Sequence, residues 1–153
     1  MSVQELEGLF REVILDHSRR PHGRGLLDGA AAESHQLNPT CGDEITMRLH
    51  ADATGTRIAS VSWVGHGCAI SQASASLLYD AVQNLEPDAV TLSIGAFREM
   101  MRSKGESEGD EQLLGDAVVL AGVSKYVARI KCASLAWVAL EDALQRFEPS
   151  VES

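Results

Sequence analysis

The chain has 153 residues, of which 44% are hydrophobic and 23% are charged, and its formal net charge at pH 7 is −9. This length can bury a hydrophobic core, and we expect a single domain over residues 1–153. Phosphate binding depends on clustered Lys and Arg, so the acidic balance argues against a nucleic-acid partner. The small basic cluster of Arg19, Arg20, His22 and Arg24 is interpreted as a solvated helix end rather than a docking patch.

The sequence contains no apolar run long enough to cross or enter a membrane. We therefore expect a cytoplasmic protein without a membrane partner. Its three cysteines are too few and too dispersed for a disulfide framework, which is typical of a reducing compartment.

The first element predicted from the spacing of apolar residues is a helix over residues 3–18, which Pro21 ends. Periodicity leaves residues 30–37 ambiguous. They lead into the sequence Asn38-Pro39-Thr40-Cys41-Gly42-Asp43, which is a strong turn signal.

Two half-buried strands are predicted next, because apolar and polar side chains alternate over residues 44–51 and again over residues 57–65. A turn between them makes the pair a hairpin. Helical spacing then resumes over residues 70–81, which places Cys68 at or just before a helix N-terminus. The helix dipole at that position favours a thiolate.

The C-terminal half is predicted to be helical. Pro87 ends the preceding helix, and another helix is expected over residues 93–104. The acidic segment 106–111 is interpreted as a solvated loop rather than a metal site, because its carboxylates lack a converging geometry. A long last helix carries an apolar stripe that begins at Cys132. The pattern predicts an α+β fold in which a small antiparallel sheet of about three strands packs against several α-helices.

Four side chains could together bind one zinc ion: Cys41, Asp43, Cys68 and Cys132. Thiolates and carboxylates are zinc ligands, and Gly42 would let the side chains of Cys41 and Asp43 converge. The chain has no CxxC pair, so the other two cysteines must arrive through tertiary folding. Each cysteine alone could be a small buried apolar residue, and Asp43 alone could be a turn or N-cap carboxylate.

Three separated motifs resemble the U-type iron-sulfur assembly proteins, and within them the SufU branch. They are the turn sequence from Asn38 to Asp43, Gly65-His66-Gly67-Cys68-Ala69-Ile70-Ser71, and Ala128-Arg129-Ile130-Lys131-Cys132-Ala133. In the scaffold branch, related to IscU, a histidine precedes the third cysteine, whereas this chain has Lys131. The stretch between Cys68 and Cys132 also looks longer than in the scaffold branch, which is consistent with an inserted loop over residues 103–115.

The resemblance implies a zinc-dependent sulfurtransferase that accepts persulfide sulfur from a pyridoxal-phosphate cysteine desulfurase of the SufS type. It implies that Cys41, Asp43, Cys68 and Cys132 bind Zn²⁺, and that a desulfurase histidine replaces Cys41 on the metal. Freed Cys41 would be the catalytic nucleophile and would pass sulfur on to downstream Suf scaffold proteins. Two alternatives stay open: a scaffold that assembles a transient iron-sulfur cluster on the same cysteines, and a non-catalytic adaptor of the desulfurase stabilised by zinc.

The sequence leaves the roles of several other charged and histidine residues open. Arg129 and Lys131 could offset the negative charge of a site with three thiolates and one carboxylate, or could be surface charges. The histidines are interpreted as packing or surface residues, with His66 the best spare ligand because it neighbours Cys68; the roles of His17, His22 and His66 stay open.

Overall fold

The computed structural model describes residues 3–149, with side chains from Phe10 onward. A long N-terminal helix precedes a three-stranded sheet, and the rest of the described chain is helical. In chain order the elements are α1 (Val3–Arg19), β1 (Ala32–Asn38), β2 (Asp43–Ala51), β3 (Ile58–His66), α2 (Ala69–Ala81), α3 (Pro87–Arg102), α4 (Glu111–Leu114), a 3-10 helix (Gly115–Lys125) and α5 (Val127–Arg146).

The sheet is antiparallel with the strand order β1-β2-β3, so the predicted α+β fold with a small antiparallel sheet is confirmed. The stretch that periodicity left ambiguous forms the edge strand β1. Its last residue, Asn38, pairs with Asp43, the first residue of β2. The predicted hairpin joins β2 to β3, with an irregularity of register between His50 and Ala51.

One face of β2 carries the core. Ile45, Met47 and Leu49 are buried, and α5 packs across β1 and β2. The intervening side chains on the other face are only half-buried. This alternation is the reason why β2 could be predicted, since successive side chains of a strand point to opposite faces.

Helices α2 and α5 lie side by side against the sheet and meet at small buried residues. The hydroxyl of Ser74 donates to the carbonyl oxygen of Ala133 over 2.6 Å, and the indole Nε1 of Trp137 donates to Ser74 Oγ over 3.1 Å. The Trp137 ring stacks on Phe97 of α3 at 4.5 Å between centroids. These contacts fix the start of α5, and therefore Cys132, relative to α2.

One predicted helix start was wrong. Helix α3 begins at Pro87, not at residue 93, because proline lacks only an N–H that the first turn of a helix leaves unpaired. The same residue that ends one helical pattern therefore begins the next helix. Helix α5 begins at Val127, five residues before the apolar stripe at Cys132.

The segment 103–115 is tied to the body of the protein. The backbone N–H of Gly105 donates to Ser124 Oγ over 2.7 Å, and Asp110 caps the short helix α4. The acidic side chains of Glu106, Glu108 and Asp110 are exposed, in agreement with a solvated loop. Among the described residues, no helix combines the length and the apolar character needed to span a membrane.

Candidate metal centre

The turn between β1 and β2 presents Cys41 to solvent. The carbonyl oxygen of Asn38 accepts from the backbone N–H groups of Cys41 at 3.2 Å and Gly42 at 2.9 Å, and Asn38 Oδ1 accepts from Thr40 N at 3.2 Å. Gly42 has a φ of 72°, a left-handed conformation that glycine adopts without steric cost. This turn brings the exposed side chain of Cys41 and the buried side chain of Asp43 close together.

The carboxylate of Asp43 is fully buried, with 0% exposure. Its Oδ1 accepts a hydrogen bond from the backbone N–H of Cys68 at 3.1 Å. Its Oδ2 has no partner, and within residues 10–149 it is the one buried side-chain oxygen or nitrogen in this condition. An unpaired buried carboxylate oxygen is costly, so this atom fits the position of a metal ligand.

Cys68 is the N-cap residue of α2, but its side chain makes no capping hydrogen bond. Its carbonyl oxygen instead accepts from the hydroxyl of Ser71 at 2.9 Å and from Gln72 N at 3.1 Å. The thiol of Cys68 is therefore not used as a helix cap and could bind a metal, and the backbone N–H of the same residue donates to Asp43. The prediction that Cys68 lies just before a helix N-terminus is confirmed.

Cys132 lies in the second turn of α5 and is 2% exposed. Its Sγ is 3.5 Å from Sγ of Cys41, and both cysteines are free thiols. Two thiolates on a tetrahedral zinc ion with Zn–S bonds of about 2.3 Å lie roughly 3.8 Å apart. The observed separation therefore needs little adjustment to hold zinc.

Three of the four predicted ligands converge closely: Cys41, Asp43 and Cys132 each place one ligand atom within 4.8 Å of the others. Cys68 lies next to this group. Its backbone N–H donates to Asp43, and its thiol contributes to the raised pKa of Cys132. Burial first, then the thiol of Cys41 and then that of Cys68, raise the pKa of the Cys132 thiol. The donor set suits zinc, and it also suits iron in a thiolate-bound cluster.

The two predicted supporting charges are exposed on α5. Within the described residues the side chains of Arg129 and Lys131 make no hydrogen bond or ion pair, whereas the backbone N–H of Arg129 donates to the carbonyl oxygen of Tyr126 over 2.9 Å. Arg129 lines a groove of about 330 Å³ that Ile70 and Tyr126 also line. Their supporting role stays a prediction.

His66 is exposed at the end of β3 and is not grouped with the cysteine centre. His17 and His22 instead lie beside Asp80, at the other end of α2. Sequence reasoning missed the part of Gly67, where an added Cβ would lie 2.2 Å from Asp43 Oδ1. Nothing in the local sequence signals that contact, because 24 positions separate the two residues along the chain.

Comparison with known proteins gives concordant matches. Residues 9–133 match the NifU-like N terminal domain. The protein named iron-sulfur cluster assembly scaffold protein IscU from Streptococcus pyogenes serotype M1 is 41% identical over 147 residues, covering 95% of this chain and 89% of that protein. The protein named zinc-dependent sulfurtransferase SufU from Bacillus subtilis (strain 168) is 38% identical over 144 residues, covering 94% of each chain.

Solved structures agree with the fold. A crystal structure described as that of a hypothetical protein has a TM-score of 0.80 at 40% identity, covering 91% of this chain and 98% of its own. A structure described as a putative iron-sulfur cluster assembly scaffold protein for the SUF system, from Fervidobacterium islandicum AW-1, has a TM-score of 0.78 at 33% identity, covering 87% and 94%. The chain therefore belongs to the NifU-like N-terminal domain family, the group of iron-sulfur cluster assembly proteins that includes IscU and SufU.

Proposed function

We propose that this chain is a SufU-type zinc-dependent sulfurtransferase. In this proposal Cys41 accepts sulfur from a SufS-like, pyridoxal-phosphate-dependent cysteine desulfurase and passes it to downstream Suf scaffold proteins. The observation that carries the proposal is the pairing of an exposed Cys41 with a buried Cys132 at 3.5 Å, beside the unpaired Oδ2 of Asp43. The relative from Bacillus subtilis, which bears the name of such an enzyme, supports it.

The residues that would hold Zn²⁺ are Cys41, Asp43, Cys68 and Cys132. Bound zinc keeps thiols deprotonated and contributes no redox chemistry of its own. The backbone of the chain orients one of these ligands. The N–H of Cys68 binds Oδ1 of Asp43 and leaves Oδ2 without a partner. Gly67 leaves the space that the carboxylate occupies.

Exposure supports Cys41 as the nucleophile. Cys41 is exposed on a turn, whereas Cys68 is partly exposed and Cys132 is buried, so Cys41 is the cysteine most accessible to a partner's persulfide. The thiolate of Cys41 attacks the terminal sulfur of the desulfurase persulfide, and a new S–S bond forms as the old one breaks. The electron pair of the broken bond leaves with the desulfurase cysteine as thiolate. The persulfide proton stays on the transferred sulfur, so no external oxidant or reductant is consumed.

Desulfurase turnover with and without this protein, followed by mass spectrometry of its cysteines, tests the proposal. We expect turnover to rise and a mass gain of one sulfur atom to map to Cys41. Cys41→Ser should abolish both effects, whereas Thr40→Ala on the same exposed turn should retain them. A sulfur adduct on Cys41→Ser protein, or stimulation that survives this substitution, would contradict the assignment.

The second candidate is a cluster scaffold, which the printed names of two similar proteins favour. Lys131 before the third cysteine and the segment 103–115 support the sulfurtransferase instead. Protein purified without oxygen separates the two: one tightly bound zinc per chain without colour supports sulfur transfer, and iron with sulfide and a brown colour supports a scaffold. A zinc-stabilised adaptor would contain zinc but would leave Cys41 free of sulfur during desulfurase turnover.

A further inference from the structure

A second group of possible metal ligands lies away from the cysteine centre. His17, His22 and Asp80 each place one ligand atom within 4.8 Å of the others. Cys68 immediately precedes the first residue of α2, and Asp80 lies in the last turn of the same helix. A helix of 13 residues is roughly 20 Å long, so the two groups lie at opposite ends of α2.

The two imidazoles are held close together. Their ring centroids are 4.7 Å apart and their planes are tilted by 56°. Nδ1 of His17 lies 2.6 Å from Ser76 Oγ, and Nδ1 of His22 lies 2.9 and 2.8 Å from the two carboxylate oxygens of Asp80. On metal binding the Asp80 carboxylate would exchange its hydrogen bond with His22 for a bond to the ion, while His17 would keep its contact with the Ser76 hydroxyl, an outer partner of the kind that orients metal-binding histidines.

The segment that carries His22 is held by its backbone. The hydroxyl oxygen of Ser76 accepts from His22 N at 2.8 Å, and Nε1 of Trp63 donates to the His22 carbonyl oxygen at 2.9 Å. The next residue, Gly23, lies against Tyr79, where an added Cβ would be 2.1 Å from the ring. His22 is therefore already positioned before any ligand binds.

The charges around this group have both signs. His17 lies in the last turn of α1 and Asp80 in the last turn of α2, so two helix C-termini, each with partial negative charge, meet at this group. Burial first, and then the neighbouring His22, lower the pKa of His17, and the carboxylates of Asp80, Asp116 and Asp16 oppose this shift only in part. Arg19 and Arg20 follow on the chain and are exposed.

We infer that His17, His22 and Asp80 form a second site for one divalent transition-metal ion of the zinc class. Imidazole nitrogens select Zn²⁺, Co²⁺ or Ni²⁺ over Ca²⁺ and Mg²⁺, which prefer oxygen ligands. Ligands of tetrahedral zinc with bonds of 2.0–2.2 Å lie about 3.4 Å apart. His22 Nδ1 and the Asp80 carboxylate, now 2.8–2.9 Å apart, would have to separate slightly, and all three ligand atoms already lie within 4.8 Å of one another. The ion would tie the end of α1 to the end of α2, and it would bind independently of sulfur transfer at Cys41.

Zinc titration of the untagged full chain, starting from metal-free protein, tests this site. We expect two equivalents of Zn²⁺ per chain, the second weaker because it has three protein ligands and solvent access. His22→Ala and Asp80→Asn should each weaken the second step by roughly tenfold or more and leave the first unchanged. His66→Ala, at an exposed histidine outside both groups, is the matched control and should retain both steps.

The two test positions are exposed, so the variants are expected to fold, which circular dichroism checks; buried His17 is better observed than replaced. In NMR spectra of the histidine rings, the second equivalent of Zn²⁺ should shift the signals of His17 and His22 and leave those of His35 and His50 in place. Binding of a single equivalent by the wild-type chain would overturn the proposal. Retention of the second step in both His22→Ala and Asp80→Asn would overturn it as well.

Discussion

The backbone N–H of Cys68 donates a hydrogen bond to Oδ1 of Asp43 over 3.1 Å, and this bond joins the start of α2 to the start of β2. It satisfies one carboxylate oxygen and leaves the other buried without a partner. Cys68 therefore contributes to the centre through its backbone N–H, which binds Asp43, and through its thiol, which is a predicted metal ligand. Replacing either residue should alter metal binding more than it alters the fold.

Asp43→Ala is expected to lower zinc affinity by at least about tenfold, because a charged ligand oxygen is lost. The substitution should lower the free energy of unfolding less in the metal-free protein than in the zinc-bound protein, since it also removes a carboxylate oxygen that has no partner. The rise in unfolding temperature on zinc addition should shrink accordingly. Competition with a chelator and thermal unfolding with and without zinc measure both effects.

The control for this substitution is Glu44→Ala on the next residue of β2. Glu44 is half-buried and its carboxylate lies 3.6 Å from His35, away from the cysteine centre. Zinc affinity should be unchanged in that variant. Equal losses in the two variants would remove Asp43 from the ligand set.

Gly67→Ala should disturb the centre without removing a ligand. The added Cβ would lie 2.2 Å from Asp43 Oδ1 and 2.5 Å from Ser71 Oγ, so the carboxylate must move. We expect zinc affinity to fall about tenfold or more and stability to fall by about 1–3 kcal/mol, the usual cost of overpacking.

Gly95→Ala provides the comparison for Gly67→Ala. Gly95 lies within α3, and no atom comes within 4 Å of a Cβ added there. Alanine should stabilise the helix by about 0.5–1 kcal/mol and leave zinc binding unchanged. Wild-type zinc affinity in Gly67→Ala protein would show that the carboxylate position does not matter.

Cysteine alkylation of the metal-free protein should follow exposure, with Cys41 first, Cys68 next and Cys132 last, because they are exposed, intermediate and buried. Zinc should slow all three reactions if the cysteines share one ion. Time-resolved mass spectrometry after treatment with iodoacetamide gives the order. Rapid alkylation of Cys132 ahead of Cys41 would contradict the described burial.

The ion pair between α3 and α5 predicts a pH-dependent stability. Two guanidinium nitrogens of Arg98 donate to the two carboxylate oxygens of Glu141, and these bonds lower the pKa of Glu141 from its ordinary value of 4.5. A lowered folded-state pKa means that the stabilisation is present above pH 4.5 and is lost as pH falls through the folded-state value.

Glu141→Gln should therefore reduce the free energy of unfolding at pH 7 by about 0.5–1 kcal/mol, a small value because the pair is partly exposed. The difference from wild type should disappear in strongly acidic solution. Glu99→Gln, on an exposed residue of α3, should show no such pH-dependent difference. Urea unfolding at a series of pH values checks both variants.

Much of the secondary structure could be predicted from local patterns of apolar residues. The alternation of apolar residues in β2 and the helical spacing after Cys68 predicted those elements because each pattern follows from burial of one face. Neither β1 nor the start of α3 could be predicted in this way. An edge strand such as β1 is held by its pairing with β2, and Pro87 is compatible with either ending or starting a helix.

The ligand types and the exposed turn at Cys41 were readable from the amino-acid sequence, since cysteine chemistry and turn preferences are local properties. Only the tertiary structure decided that Cys132 comes within 3.5 Å of Cys41, that Asp43 is buried with one unpaired oxygen, and that His22 lies beside Asp80. These relationships join residues from different elements. Packing of α2 and α5 on the sheet creates them, and no sequence period encodes a distance between side chains so far apart along the chain.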